Sequence, residues 1–375
     1  MTCQIFCYFV IKKEEVPMLI LSNEDVEKIL SMPECMVILE DMYRDMGRGQ
    51  ALFMPRVDNI MPTSHPQAYY AFKHMGGGWP RHKIMALRIN SDIITHPVVA
   101  GAVRRVKVPK SGNGRWVGLV FLFSSETGAL LAIFPDGVAQ RMRVGATNGL
   151  AVKYLARPEA KRAALIGSGW QAGGQLLGLI HARPVEEIKV YSPTKENREA
   201  FVAEMGKLTK ANIRAVETIE ECVADVDIIM AATSSLEPVI KASWLREGMH
   251  ISCIKSQEID GDVIDGCDVV FLHTSLQEKQ ADNVLLAENL PLPKKHKEGW
   301  WSEEKRKGKI YPDLSDLISG TEVGRTNPRE ITCFINNVGL GLQFAAVGAL
   351  VLEKALSLGI GKELPDEWFS ETVHP

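Results

Sequence analysis

The chain changes its hydrophobic rhythm partway along. Up to about residue 135, short apolar runs such as "AYYAF", "KIMALRI" and "WVGLVFLF" predict strands, and "SSETGA" between "VFLF" and "LLAIF" reads as a tight hairpin turn. Ahead of them, "MLILSNEDVEKIL" predicts a short strand and then a helix, capped by Ser22 or Asn23, with acidic residues in its first turn. From about 140 to 275 strands and helices alternate: "RAALIG", "EIKVYS", "NIRAV", "VDIIMAAT", "HISCI" and "DVVFLH". That rhythm predicts an α/β fold with a parallel, doubly wound sheet. Further on, "NNVGLGLQFAAVGALVLEKALSLGIG" predicts a long, small-residue-rich amphipathic helix ended by glycine. The basic run "GAVRRVKVPKSGNGRW" is expected to be a solvated loop. Residues 291–308 are expected to form a surface insertion, whose Trp300 and Trp301 offer a cap for a pocket or a subunit contact.

Composition narrows the class. A length of 375 residues suggests about two domains, and 46% apolar with 24% charged residues suits a globular protein with a sizeable core. The formal charge of −3 gives no reason to expect nucleic acid or an anionic membrane as partner. No apolar run reaches the roughly 18 residues of a membrane span. The seven cysteines are scattered, without C-x-x-C or metal-like histidine pairing, which points to reduced thiols in a cytoplasmic protein and to no metal. The apolar part of residues 1–17 is too short to span a membrane, and its lysines follow it rather than precede it. Residues 1–17 are therefore expected to be an upstream extension, with the first domain starting at Met18.

The stretch "RAALIGSGWQAGGQLLGLI" (162–180) carries the first chemistry. Ala163–Ile166 fits a strand buried on both faces. Gln171–Ile180 has helical spacing, with Ala172, Leu176, Leu179 and Ile180 on one side. With "EIKVYS" as the next strand, this is the strand–turn–helix–strand unit that a dinucleotide fingerprint requires. Gly167 turns the chain sharply, Gly169 lets backbone approach a pyrophosphate, and Ala172 lets helix and strand pack closely. Free N–H groups at the helix start then face the anion. Gly167, Ser168, Gly169, Trp170, Gln171 and Ala172 are the expected cradle.

The NAD form of this motif closes its second strand with an acid that binds the ribose hydroxyl. Here the strand ends at Ser192, followed by "PTKENR". Ser192, Thr194, Lys195 and Arg198 suit a 2′-phosphate, which favours NADP(H) over NAD(H). The alternative is that Lys195 and Arg198 are exposed helix charges.

Several stretches together resemble the ornithine cyclodeaminase/μ-crystallin family: "MLILSNEDV", "SSETGALLAIFPDGVAQRMRVGATNGLAVKYLARPEAKRAALIGSGWQAGGQ", "ADVDIIMAATSSLEPVI", "LISGTEVGRTNPREITCF" and "NNVGLGLQ". The resemblance covers nearly all of 18–365. It implies a Rossmann domain (141–334) inserted into a second α/β domain (18–140 plus 335–375) that binds substrate and forms a homodimer. It also implies a nicotinamide cofactor and chemistry at an amino or imino carbon beside a carboxylate, as in ketimine reduction, alanine dehydrogenation or ornithine cyclodeamination. By match to the family motifs, Arg143 and Arg56 are substrate-carboxylate binders. Arg88, and as second choice Lys73, takes the place of a substrate-binding lysine, and Lys73 or a water supplies the proton. Thr233, Ser234, Ser235, Cys253, Asn337 and Gly339 join the cofactor set.

Three departures stand out. Val144 replaces the usual threonine, Phe344 replaces an acid, and the loop in "HISCIKSQEIDGD" is shorter and lacks the cyclodeaminase aspartate, leaving Ser252, Cys253 and Lys255 there. The leading reading is an NAD(P)-dependent oxidoreductase acting at the C–N centre of a small amino or imino acid. The alternatives are an ammonia-releasing cyclodeaminase-type lyase and a non-catalytic protein that binds nucleotide and a small ligand.

Overall fold

The computed structural model describes residues 17–99, 101–275, 281–285 and 308–373. Residues 1–16 of the expected extension, and Trp300 and Trp301 with nearly all of the expected insertion, lie outside the described residues.

The first half of the chain builds a mixed sheet. Its strands are β1 (Met18–Ile20), β2 (Leu52–Pro62), β3 (Ala68–Trp79) and β4 (Ile84–Thr95), followed after a small ribbon, β5 (Val98–Val99) and β6 (Ala102–Val103), by β7 (Val106–Val108), β8 (Val117–Ser124) and β9 (Leu130–Pro135). The second sheet holds β10 (Arg162–Ile166), β11 (Glu187–Tyr191), β12 (Asn212–Ala215), β13 (Ile228–Ala231), β14 (His250–Cys253) and β15 (Val269–Leu272). Next come β16 (Ala281–Val284), β17 (Thr332–Ile335) and β18 (Lys362–Leu364). The first sheet runs β16-β2-β3-β4-β8-β9-β1-β18, with β7 on β4. The second runs β12-β11-β10-β13-β14-β17-β15, every pairing parallel. β16 pairs β2, so the chain returns to the first sheet before residue 335.

Helices α1 (Asn23–Ile29), α2 (Met32–Gly47), α3 (Asp136–Leu155), α4 (Trp170–Ala182) and α5 (Lys195–Met205) precede the short α6 (Ile219–Val223), α7 (Gly261–Asp265) and α8 (Leu314–Ser319). The long C-terminal helix is α9 (Leu342–Leu358), ended by Gly359 at φ 63°. Ser22 caps α1 in a reciprocal box with Asp25. The helical run at the C-terminus starts later than its composition suggests, because "NNVGLG" is spent on the link from β17 into α9.

Register positions the chemistry. β3 and β4 pair Met75 with Arg88, Lys73 with Asn90 and Ala71 with Asp92, while β4 and β8 pair Ala86 with Leu122 and Arg88 with Val120. Alternation then puts Ala86, Arg88, Asn90 and Asp92 on one face. At one end that face is apolar and packs with Trp79, Leu122, Phe134 and Phe344 in a shared core. Each such side chain contributes about 1.5–3 kcal/mol by burial. At the other end the same face turns polar.

α3 joins the two sheets and lies against α4 at a very short distance. A Cβ on Gly145 would sit 2.1 Å from the Gly174 carbonyl oxygen, and one on Gly178 would sit 2.1 Å from that of Gly145. Only glycine permits this crossing.

Candidate active site

The glycine turn has the expected form. Gly167 has φ 123°, and a Cβ there would lie 2.3 Å from the Ala232 carbonyl oxygen, so glycine is required on both counts. Gly169 caps α4, and a Cβ on it would meet nothing within 4 Å, which leaves the helix start open to approach. The first amide of this helix paired within it is that of Gly173, to Gly169, so the preceding amides face the opening. Ala172 is fully buried against the sheet. The side-chain Oε1 of Gln171 is buried without a partner, and the Ser168 hydroxyl donates to Ser192 Oγ at 2.9 Å. Trp170 donates from Nε1 to the Gly137 carbonyl at 3.2 Å and carries the Arg141 guanidinium 4.2 Å above its ring. These features fit a dinucleotide pyrophosphate.

At the end of β11 the cations divide. Arg198 is buried and donates from Nη1 to the Ser192 carbonyl at 3.1 Å, so it belongs to the strand end. Lys195 stands in solvent, 3.8 Å from Glu199 one turn on. Thr194 precedes α5 as its cap residue.

The strand ends next to the turn supply Thr233, Ser234, Ser235 and Cys253. Thr233 donates through its amide and hydroxyl to Glu258 Oε1 at 2.5 and 2.7 Å, and Ile254 N–H donates to Glu258 Oε2 at 3.0 Å. Burial raises the pKa of Glu258 against those bonds. Ser234 is exposed, whereas the Ser235 carbonyl accepts Lys255 Nζ at 2.7 Å. The Cys253 thiol is buried, with its pKa pushed well up by desolvation, and its carbonyl accepts from the Asn336 N–H at 3.1 Å and from Asn148 Nδ2 at 3.4 Å. Asn337 ties itself to Thr274, donating to its carbonyl at 2.8 Å. Gly339 lies beside Arg143, whose Nη2 would be 3.2 Å from a Cβ there.

The four expected cations gather at the polar end of the first sheet. Arg143, on α3, is buried; its Nη1 donates to Gln343 Oε1 at 2.7 Å and its Nε has no partner. Burial, and then the nearby charge of Arg88, push its pKa down to about 9. Arg88 is committed elsewhere: Nε donates to Asp136 Oδ2 at 2.7 Å and Nη2 to Gln140 at 2.5 Å. The Phe344 ring lies close to both guanidinium groups, 5.2 Å from that of Arg143 and 5.6 Å from that of Arg88. Lys73 is buried and paired with Asp92 at 3.0 Å. Desolvation, followed by Arg105, outweighs Asp92 and lowers its pKa to about 7. Arg56 makes a two-pronged pair with Asp58, both contacts 2.6 Å.

Several functional partners were not among the sequence candidates. Asp136 and Asp92 fix the cations, and Asn90 donates to Asp136 at 3.0 Å. Behind Arg143 lies a buried relay. Gln343 Nε2 donates to Tyr43 Oη at 2.9 Å and to Thr147 Oγ1 at 2.6 Å, and Tyr43 lies 2.7 Å from His273 Nε2. His273 Nδ1 faces the Val338 carbonyl at 2.5 Å, so Nδ1 carries the proton and Nε2 accepts from Tyr43. Burial holds His273 neutral, with its pKa down to about 3. The period-two spacing of Arg88, Asn90 and Asp92 was the available signal for part of this group.

The basic run 101–116 differs from the expected solvated loop. Its β7 pairs β4, Lys107 reaches Asp92 at 2.9 Å, and the Arg104 backbone bridges that of Ser235. Strand pairing carries these charges to the site; Trp116 and the residues near it stay exposed.

Among the described residues no group of three or more His, Cys, Asp or Glu converges as a metal site, and no helix is long and apolar enough to cross a membrane. Comparison with known proteins agrees with this geometry. An alanine dehydrogenase of Archaeoglobus fulgidus is 28% identical over 359 residues, covering 92% of this chain and 98% of that protein. The structure of Thermococcus litoralis Δ1-pyrroline-2-carboxylate reductase in complex with NADH and L-proline superposes with a TM-score of 0.73 at 28% identity, over 92% of this chain and all of that one. An archaeal alanine dehydrogenase dimer with bound NAD superposes with a TM-score of 0.74 at 26% identity, over 93% and 99% of the two chains. The profile of the ornithine cyclodeaminase/mu-crystallin family matches residues 16–359, and the chain belongs to that family.

Proposed function

We propose that this protein is an NAD(P)-dependent oxidoreductase acting at the C–N centre of a small amino or imino acid. The observation that carries this reading is Arg143: a buried guanidinium with no carboxylate partner among the described residues, on the helix that packs directly against the nucleotide-turn helix. The relatives support it, being an alanine dehydrogenase and a pyrroline-carboxylate reductase, names that describe carbon bonded to nitrogen beside a carboxylate.

In this reading Arg143 holds the substrate carboxylate, with Arg56 at the mouth. Arg88, tied to Asp136 and Gln140, shapes the floor rather than moving protons, since guanidinium does not deprotonate readily. Gly167–Ala172, Ser192, Thr233–Ser235, Cys253, Asn337 and Gly339 form the cofactor side. The bound nicotinamide supplies or accepts hydride. Lys73, with a pKa near neutrality, gives the proton to nitrogen during imine reduction and takes it back in the reverse direction. A cyclodeaminase cycle needs a carboxylate base in the loop after β14. There Glu258 is bound by Thr233 and Ile254, and Lys255 is a cation, which favours the redox reading.

We further propose NADP(H) over NAD(H), on Ser192 and the neighbouring Arg198, and a cytoplasmic homodimer in which the first sheet, to which β16 returns, carries the substrate side and the second sheet the cofactor side. The deciding test follows absorbance at 340 nm with a panel of amino acids, and of 2-oxo acids with ammonia. Stoichiometric cofactor turnover supports the oxidoreductase. Ammonia release without net absorbance change identifies the lyase, and neither response leaves the binding protein.

A further inference from the structure

The site mouth carries more positive charge than one carboxylate needs. The ribbon leading into β7 brings its cations there by backbone pairing. Arg104 bridges Ser235, the residue whose carbonyl holds Lys255 Nζ at 2.7 Å, and Lys107 shares Asp92 with Lys73. Arg105 lies between those two anchor points, half-buried and beside the Tyr69 phenol, and its charge is felt at both Lys73 and Lys255. On the acidic side Asp92 already serves two lysines. Glu258 is occupied by backbone and hydroxyl donors, and no ion pair forms at Arg105 or Lys255 among the described residues.

We infer that the substrate carries a second acidic group, held at the mouth by Arg105 and Lys255 while its amino-acid carboxylate is held at Arg143. This rests on the proposed amino- or imino-acid reading and names the substrate class within it: an acidic, dicarboxylic member. Two half-desolvated cations opposite one flexible carboxylate form charge-assisted contacts that a methyl group cannot replace, so the site discriminates by charge rather than by length.

The experiment uses the full chain loaded with reduced cofactor and two unreactive probes of equal carbon number, succinate and butyrate, titrated by calorimetry. Succinate is expected to bind at least tenfold tighter. Arg105→Gln and, separately, Lys255→Gln should each shrink that ratio several-fold while the melting temperature is retained. Equal affinities for the two probes overturn the inference, as does an undiminished ratio in both variants. A loss of cofactor affinity in Arg105→Gln with the probe ratio unchanged also overturns it, by giving these cations to the cofactor. Parallel assays of aspartate, glutamate, alanine and proline oxidation separate the two levels. If none of the four is oxidised the oxidoreductase reading fails, and the probe ratio still decides the charge class.

Discussion

Arg143 and Gln343 stand two hundred residues apart in the chain and 2.7 Å apart in the fold, guanidinium to amide oxygen. An amide orients a guanidinium without neutralising it, and the next residue, Phe344, offers it a ring in place of a charge. Gln343→Glu should therefore weaken carboxylate binding by about tenfold, by giving Arg143 a permanent partner, and appear as a raised KM, together with a lower melting temperature because a carboxylate cannot donate the bonds that Gln343 Nε2 gives to Tyr43 and Thr147. Gln343→Leu leaves buried donors and acceptors unmet and should cost about 1–3 kcal/mol, visible in denaturant unfolding. An unaltered KM in the glutamate variant would contradict the positioning role of Gln343.

Removing the clamp itself gives a separate forecast. A charge-assisted contact is worth roughly 1.5–3 kcal/mol, so Arg143→Ala should lose most turnover, while Arg143→Lys retains weak binding through a single-point contact. Were Arg143 only structural, the alanine variant would melt earlier yet keep near-normal kcat/KM. Melting, cofactor titration and activity on one preparation distinguish the two outcomes.

The proton step predicts opposite pH profiles for the two directions. With Lys73 near 7, reduction needs the protonated amine and should fall as pH rises through about 7, whereas oxidation needs the free amine and should rise over the same range. Lys73→Arg stays protonated throughout, so it should remove that inflection from both profiles and greatly lower turnover. Persistence of the inflection in the arginine variant assigns the proton to another group.

For the cofactor, the wild-type chain is expected to bind NADPH about tenfold more tightly than NADH, about 1.4 kcal/mol. Ser192→Asp should reverse that order, because a carboxylate accepts from a ribose hydroxyl and repels a phosphate. Arg198→Ala should lower NADPH affinity more than NADH affinity. Fluorescence titration of both reduced cofactors measures all three, and equal losses for the two cofactors would mean that Arg198 only braces the Ser192 carbonyl.

The parts legible in sequence were those written in local patterns. The glycine turn, the hairpin at "SSETGA" and the alternating strands depend on residues a few positions apart, and each recurs in the fold. Arg88 was legible as a cation on a strand, but its pairing with Asp136 and the shared Asp92 of Lys73 and Lys107 depend on register between strands, which no local pattern encodes. The basic run, exposed over much of its length, departs from a solvated loop at β7 for the same reason. Its charges mark it as polar, and only the pairing of β7 with β4 carries Lys107 inward. The relay from Gln343 through Tyr43 to His273 draws on three distant segments, so its members look unrelated along the chain.

The glycine crossing of α3 and α4 sets a mechanical constraint on catalysis. The helix that carries Arg143 and the helix that opens at Gly169 touch backbone to backbone where Gly145 and Gly149 meet Gly174 and Gly178, and the Arg141 side chain of the first lies over Gly173 and Trp170 of the second. So close a contact should make them move as one strut, which would hold the proposed carboxylate clamp at a fixed span from the proposed phosphate cradle. Lys73 is mounted on the first sheet, outside that strut. In the proposed reaction, breathing between the sheets would alter how far the proton must travel sooner than the span from substrate carboxylate to cofactor, so loosening the cleft should slow proton transfer before it disturbs hydride alignment.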